Sequence, residues 1–186
     1  MSIEYGELRK LQDGRYFAKA TREDGKKVYK QFNAVTLKSK LSETRNVIVD
    51  VSNNLNVFED YKNDIIRSAT DNSESWFKKV LNEKTIEAAF DSPITQDDQI
   101  MVSKVYNEIP IFSHTRESVS EEDLPEDTIC DVILEYSGIT FSKKSFSPMW
   151  RIAQVKLRAP PKKKAYMDYM FEDEPDQDID EEEEIE

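Results

Sequence analysis

The run Cys130-Asp131-Val132-Ile133-Leu134-Glu135-Tyr136-Ser137-Gly138-Ile139-Thr140-Phe141 decides the fold. It continues through Ser142-Lys143-Lys144-Ser145-Phe146 into Pro148-Met149-Trp150-Arg151-Ile152-Ala153-Gln154-Val155-Lys156-Leu157-Arg158. Both arms are rich in β-branched and aromatic residues and hold no helix-period stripe, so they read as two long strands, Cys130 to Phe141 and Pro148 to Arg158. Strand alternation divides the second arm. Trp150, Ile152, Gln154, Lys156 and Arg158 share one face, while Arg151, Ala153, Val155 and Leu157 share the other. The second face is apolar after Arg151 and is expected to enter a core. The first presents an aromatic, an amide and two bases.

Working outward, Arg15 to Ala20 and Val28 to Leu37 are further β-rich runs, separated by Glu23-Asp24-Gly25-Lys26. Asp-Gly supplies the positive φ of a tight turn, so these two are expected to pair as a hairpin. Val47, Val49 and Val51 fall on one face of another strand, and Gln99 to Tyr106 is one more. Between those strands the period changes. Phe58, Tyr61, Ile65 and Ile66 follow helical spacing behind the cap-like Asn56. A second helix is expected from Asp71-Asn72-Ser73-Glu74, with Trp76/Val80 and Phe77/Leu81 as i,i+4 pairs, ending before Ser92-Pro93. Ser113 to Glu126 is polar and acidic and reads as a loop. The chain is therefore expected to be α+β and strand-dominated: one folded domain over residues 1–160 with a helical insertion at about 56–91.

Charge separates a tail from this body. The chain of 186 residues has a formal net charge of −12, with 38 acids and 26 bases. Eleven of the acids lie between Glu172 and Glu186, where there is no base. They include Glu172, Asp173, Glu174, Glu181, Glu182, Glu183 and Glu184. The preceding residues keep 27 acids against all 26 bases, so the body is nearly neutral. Like charges with little to bury predict a disordered acidic tail over 172–186, reached through a basic and aromatic linker at 161–171.

Much chemistry is excluded by composition. The four glycines stand singly, so neither a P-loop nor a dinucleotide fingerprint exists. One cysteine, Cys130, and one histidine, His114, form no metal-spaced cluster, and no metal or other cofactor is expected. Cys130 reads as a small buried hydrophobe and His114 as a surface loop residue. The acidic groups Asp97-Asp98 and Glu121-Glu122-Asp123 read as solvated loop charge. No apolar run approaches the roughly 20 residues of a membrane span, and the first residues lack the pattern of a signal peptide. A soluble, intracellular, noncatalytic protein of a reducing compartment is expected.

The functional signal lies between Gly138 and Met167. Lys143, Lys144, Arg151, Lys156, Arg158, Lys162, Lys163 and Lys164 occur there without a single acid, interleaved with Phe141, Phe146, Trp150 and Tyr166. Cations that follow phosphates and rings that stack on bases are what sequence-independent binding of single-stranded nucleic acid needs. The competing reading buries Phe146 and Trp150 in the core and assigns the lysines to the solubility of an edge strand.

A β-rich body with a cationic stretch, followed by a terminal acidic tail, resembles the replicative single-stranded-DNA-binding proteins of bacteria and phages, which are built on the OB-fold. The Cys130–Phe141 strand ending past a glycine, the Lys-Ser-Phe turn and the Trp150-centred strand are also similar to proteins of large eukaryotic DNA viruses thought to serve this role. The resemblance implies an OB-like antiparallel barrel or sheet and single-stranded DNA as the partner. It also implies a role in replication, recombination or repair, in the cytoplasm or nucleus of a host if viral. Phe141, Lys143, Lys144, Phe146, Trp150, Arg151, Lys156 and Arg158 would be the DNA-contacting group, and the tail would recruit replication or repair proteins. A protein-interaction module with an acidic tail (a histone chaperone, DNA mimic or transcription-accessory subunit) is the alternative from a different class.

Overall fold

A computed structural model describes residues 3–159. In chain order the strands are β1 (Ile3–Tyr5), β2 (Arg9–Lys10), β3 (Tyr16–Arg22), β4 (Val28–Leu37) and β5 (Asn46–Asp50). Helices α1 (Leu55–Asp71), α2 (Ser73–Phe77) and α3 (Glu83–Ala89) follow. The chain then forms β6 (Gln99–Lys104), β7 (Ile111–Phe112), β8 (Ser118–Val119), β9 (Thr128–Phe141) and β10 (Phe146–Leu157). The strand-dominated α+β class is as expected.

Five strands close on themselves. β4 pairs with β5, β5 with β6, β10 with β9 and β9 with β4, all antiparallel, while β6 and β10 meet in parallel at Ser103–Arg151 and Lys104–Ile152. A five-stranded ring of this kind is an OB-like barrel, and closing it removes most of the exposed strand edge. Its interior is filled from every wall, by Val28 and Phe32, Val47 and Val49, Ile100 and Val102, Val132 and Leu134, and Ile152 and Val155. The helices lie between β5 and β6. Phe58 of α1 stacks on Phe32 with ring centroids 5.0 Å apart, and Tyr61 meets Trp150 at 4.8 Å.

The 14-residue β9 is the spine. One edge carries β10 along nearly its whole length. The other edge carries β4 from Thr128 to Tyr136 and β3 from Gly138 to Phe141. At the change of partner, Gly138 has φ +143°, and a Cβ there would run into the Ala18 carbonyl. Glycine alone meets both demands. This arrangement corrects the expected hairpin. The turn at Gly25 forms, with φ +73° and the Arg22 amide donating to the Lys26 carbonyl over 2.9 Å. Beyond it, however, β3 and β4 run in the same direction, one after the other along β9, because that strand is long enough to offer each of them a row of backbone hydrogen-bond partners.

Two local expectations are also corrected. The second helix breaks at Lys78, whose φ of 60° ends α2, and Asn82 then caps α3 by accepting from the Thr85 amide at 2.9 Å. Val80 is left exposed and does not pair with Trp76 on a helix face. The stretch read as a loop at Ser113 to Glu126 contains β8 and a 3-10 turn at Glu121–Asp123. Glu121 is not solvated, as its carboxylate holds the buried Lys104 ammonium at 2.6 Å and also accepts from the Ile109 amide.

Candidate nucleic-acid interface

Alternation along β10 is interrupted where the pairing with β9 shifts, between Ile152 and Gln154, with a second irregularity between Met149 and Trp150. A bulge inserts one residue and reverses which side chains face inward beyond it. Trp150, Ile152, Val155 and Leu157 consequently share the inner face, opposite Tyr136, Leu134, Val132 and Cys130. Arg151, Gln154 and Lys156 point outward.

The expectation that the aromatic residues of this region form an exposed stacking platform is therefore corrected. Trp150 is 3% exposed, Phe146 1% and Phe141 6%. Trp150 sits among Phe32, Phe58, Tyr61 and Tyr136, while Phe141 and Phe146 stack on each other at 5.9 Å beneath Phe77. Rings of this size contribute most where they are buried, and the barrel mouth under the helices takes all three.

The bases fall differently. Lys143 and Lys144 are exposed at the β9–β10 turn, which Ser142 and Ser145 close by hydrogen bonds of 2.8 and 3.2 Å. Lys156 and Arg158 are exposed, the latter 3.5 Å from Asp131. Arg151 is half-buried and donates to the Lys104 and Val105 carbonyls at 3.2 and 3.0 Å. Lys162, Lys163, Lys164 and the acidic residues from Glu172 to Glu184 lie outside the described residues.

Cross-strand register shows what shares the outer face with these bases. Tyr29, Glu135 and Arg151 form one row, Gln31, Ile133 and Gln154 the next, and Asp131, Lys156 and Phe112 a third. Toward the other end, Phe17, Thr140 and Ser147 form a row, followed by Lys19, Gly138 and Met149. Arg9 lies beside Phe17, whereas Lys10 pairs with Tyr16 in the row of Phe141 and so points to the opposite face. The acids on this face are already matched. Glu135 is buried, takes the Lys27 ammonium at 2.9 Å and accepts from Ser137 at 3.1 Å. The hydrogen bond from Lys27 to Glu135 raises the lysine's pKa and keeps it charged. Asp131 accepts from the Ala34 amide at 3.0 Å as well as facing Arg158. Among the described residues, Arg9, Lys19, Lys143, Lys144 and Lys156 have no carboxylate within ion-pair distance.

Exposed rings were not legible in the acid-free stretch because they come from elsewhere. Tyr29, 44% exposed, belongs to β4, and Tyr106, 55% exposed, to the connection after β6. The signal that could have found Tyr29 is alternation, since it is the large aromatic at an outward position between Val28 and the polar pair Lys30-Gln31. The β5–β6 face, which commonly carries oligonucleotides in OB folds, shows Ile48 and Met101 and no ring. Among the described residues no group of His, Cys, Asp or Glu could hold a metal ion, and no helix is long and apolar enough to cross a membrane. Cys130 is buried, and burial pushes its thiol up to about 12.

Residues 33–173 match the model of a family of unknown function, DUF5871, and the chain belongs to that family. No curated protein matches it. Among solved structures, it is similar to the single-stranded DNA-binding protein from bacteriophage Enc34 in complex with ssDNA, with 9% identity, 83% of this chain and 95% of that chain covered, and a TM-score of 0.46. A C-terminal truncation of that phage protein gives 8% identity, 86% and 97% coverage, and a TM-score of 0.46. A further structure of the phage protein gives 9%, 84%, 90% and 0.45.

Proposed function

We propose that this protein binds single-stranded DNA without sequence preference, along the outer face of β3, β4, β9 and β10. The carrying observation is the charge of that face: Arg9, Lys19, Lys143, Lys144 and Lys156 lie on it or at its ends without a carboxylate partner among the described residues, and both acids of its strands are already matched. Cations spread along a sheet can follow a phosphate backbone, while exposed rings and small apolar side chains between them receive bases. The role is noncatalytic coating of DNA in replication, recombination or repair. The acidic, base-free segment from Glu172 to Glu186 acts in this reading as a competing polyanion and as a handle for replication or repair proteins.

Titration of a fluorescent oligo(dT) followed by anisotropy, at several salt concentrations, tests the reading. For single strands, log K should fall with log[salt] at a slope of about −0.7 for each phosphate neutralised. Lys19→Glu and Lys156→Glu should each weaken binding and flatten that slope. Deleting 172–186 should strengthen binding at low salt. Absence of salt-sensitive binding by both the full chain and the truncated chain sinks the proposal.

A further inference from the structure

Two tyrosine rings stand in water on the proposed face, although the chain buries Tyr136 completely. Tyr29 and Tyr106 wall a trough of about 300 Å3 floored by Ile133 and Ala153 and bounded by Pro110 and Gln154. The trough runs past Gln154 into a second depression lined by Gln31, Asp131 and Lys156. Tyr106 belongs to a segment lying beside β10, since the Val105 amide donates to the Ile152 carbonyl at 2.9 Å. The two tyrosines therefore straddle β9 and β10, about three strand spacings or ~14 Å apart at the backbone. Side chains leaning inward from that separation leave a slot for a flat ring system.

The surroundings specify what kind of ring. The floor is apolar, which suits a π-face, and cations border it: Lys27 is close enough to sense both phenols, and Arg151 and Lys156 lie in the adjoining rows. A planar apolar face attached to an anionic backbone is the chemistry of a nucleotide in a strand. Edge recognition is sparse. The Gln31 amide already donates to Asn33 at 2.7 Å, leaving Gln154 as the amide at the rim. We infer that the trough between Tyr29 and Tyr106 seats one base of a bound single strand, stacked against the tyrosine rings whatever its identity, with its flanking phosphates toward Arg151 and Lys156. This inference rests on the single-stranded-DNA reading and names the base-binding element within it.

The test uses the full chain and oligo(dT) carrying one 2-aminopurine, whose fluorescence falls when it stacks. Tyr29→Ala and Tyr106→Ala should each weaken binding roughly five- to hundred-fold, the range for one base–aromatic contact. Tyr29→Phe and Tyr106→Phe should keep affinity within about twofold, because the ring and not the hydroxyl carries the contact. The salt slope should stay as in the wild type, since no cation is removed, and thermal melting should be unchanged for exposed side chains. Replacing dT by dA or dC should alter affinity by less than the alanine variants do. Wild-type binding that survives both alanine substitutions, with 2-aminopurine unquenched, overturns the inference and leaves the broader reading standing. Loss of binding on Ile48→Ser or Met101→Ser alone also overturns it, by moving the strand to the β5–β6 face. No binding by wild type or by the chain lacking 172–186 refutes the DNA reading itself.

Discussion

Replacing Trp150 by alanine separates a residue that builds the barrel from one that touches a ligand. The indole contacts four rings, with centroid distances of 5.9 Å to Phe32, 5.4 Å to Phe58, 4.8 Å to Tyr61 and 5.1 Å to Tyr136. Truncating a buried tryptophan costs about 3–5 kcal/mol, and edge-to-face partners add about 0.5–1.5 kcal/mol a pair beyond area burial. The upper end of the range is expected here, a large share of the roughly 5–15 kcal/mol that a domain holds. Urea unfolding followed by far-UV circular dichroism should show the midpoint collapse, with oligonucleotide affinity retained by whatever fraction stays folded. Trp150→Phe sharpens the test. The indole Nε1 is buried and has no hydrogen-bond partner among the described residues, a burden of about 1–3 kcal/mol that phenylalanine removes. That gain offsets much of the lost volume, so the variant should lie within about 2 kcal/mol of wild type. A Trp150→Ala protein that melts like wild type and yet loses DNA binding would refute the reasoning, because the indole would then have to stand on the surface.

Ala34 holds φ at 53°, with its amide donating to Asp131, and a Cβ in that region costs about 1 kcal/mol. Ala34→Gly should therefore raise the urea midpoint by the equivalent of about 0.5–1 kcal/mol, part of the gain being returned as chain entropy. Lys104→Met strands the Glu121 carboxylate against the barrel end and should cost about 3–5 kcal/mol, with Lys104→Met/Glu121→Leu recovering most of it in the same assay. Burial pushes Tyr5, Tyr61 and Cys130 up to about 12 and Tyr136 well above its ordinary value. A raised pKa means the fold prefers the protonated form, so this stability is complete below the unfolded pKa values and lost as pH rises above them. Each group removes about 1.4 kcal/mol per pH unit in that window, and melting temperatures should fall steeply above about pH 10.

The helical and strand segments were legible because their periods are regular. Phe58, Tyr61, Ile65 and Ile66 fall on the buried or half-buried side of α1, and the valines of β5 point inward, as periodicity alone required. What failed were features that depend on partners. A bulge at Ala153 cannot be seen in one strand's alternation, since it is defined by the pairing of Ile152 and Gln154 with Leu134 and Ile133. Before that bulge the predicted faces are exchanged and beyond it they hold, so Val155 and Lys156 keep their inward and outward roles while Trp150 and Ile152 move to the core side. The β3–β4 hairpin failed for the same reason: Asp24-Gly25 specifies a turn, but the edge of β9 decides what lies beside it. The candidate site suffered most, because Tyr29 and Tyr106 are separated from β10 in sequence and meet it only through closure of the ring.

Under the proposed function an acidic chain binds a polyanion, and that has a consequence for the salt dependence. At about 0.15 M salt the screening length is about 8 Å, so a strand on the outer face senses Lys19, Arg151 and Lys156 and little of the carboxylates elsewhere. At about 0.01 M the length grows to about 30 Å, and the formal net charge of −12 is felt as a whole. Counterion release alone makes log K rise without limit as salt is diluted. For this chain the rise should bend over at low ionic strength, and the association rate should bend with it, because long-range repulsion acts on the encounter. Removing residues 172–186 takes away eleven negative charges and should straighten both plots. Stopped-flow rates across that salt range decide the matter. A straight plot for the full chain would mean that the tail's charge does not oppose the encounter, and a bend that survives truncation would place the repulsion in the folded body.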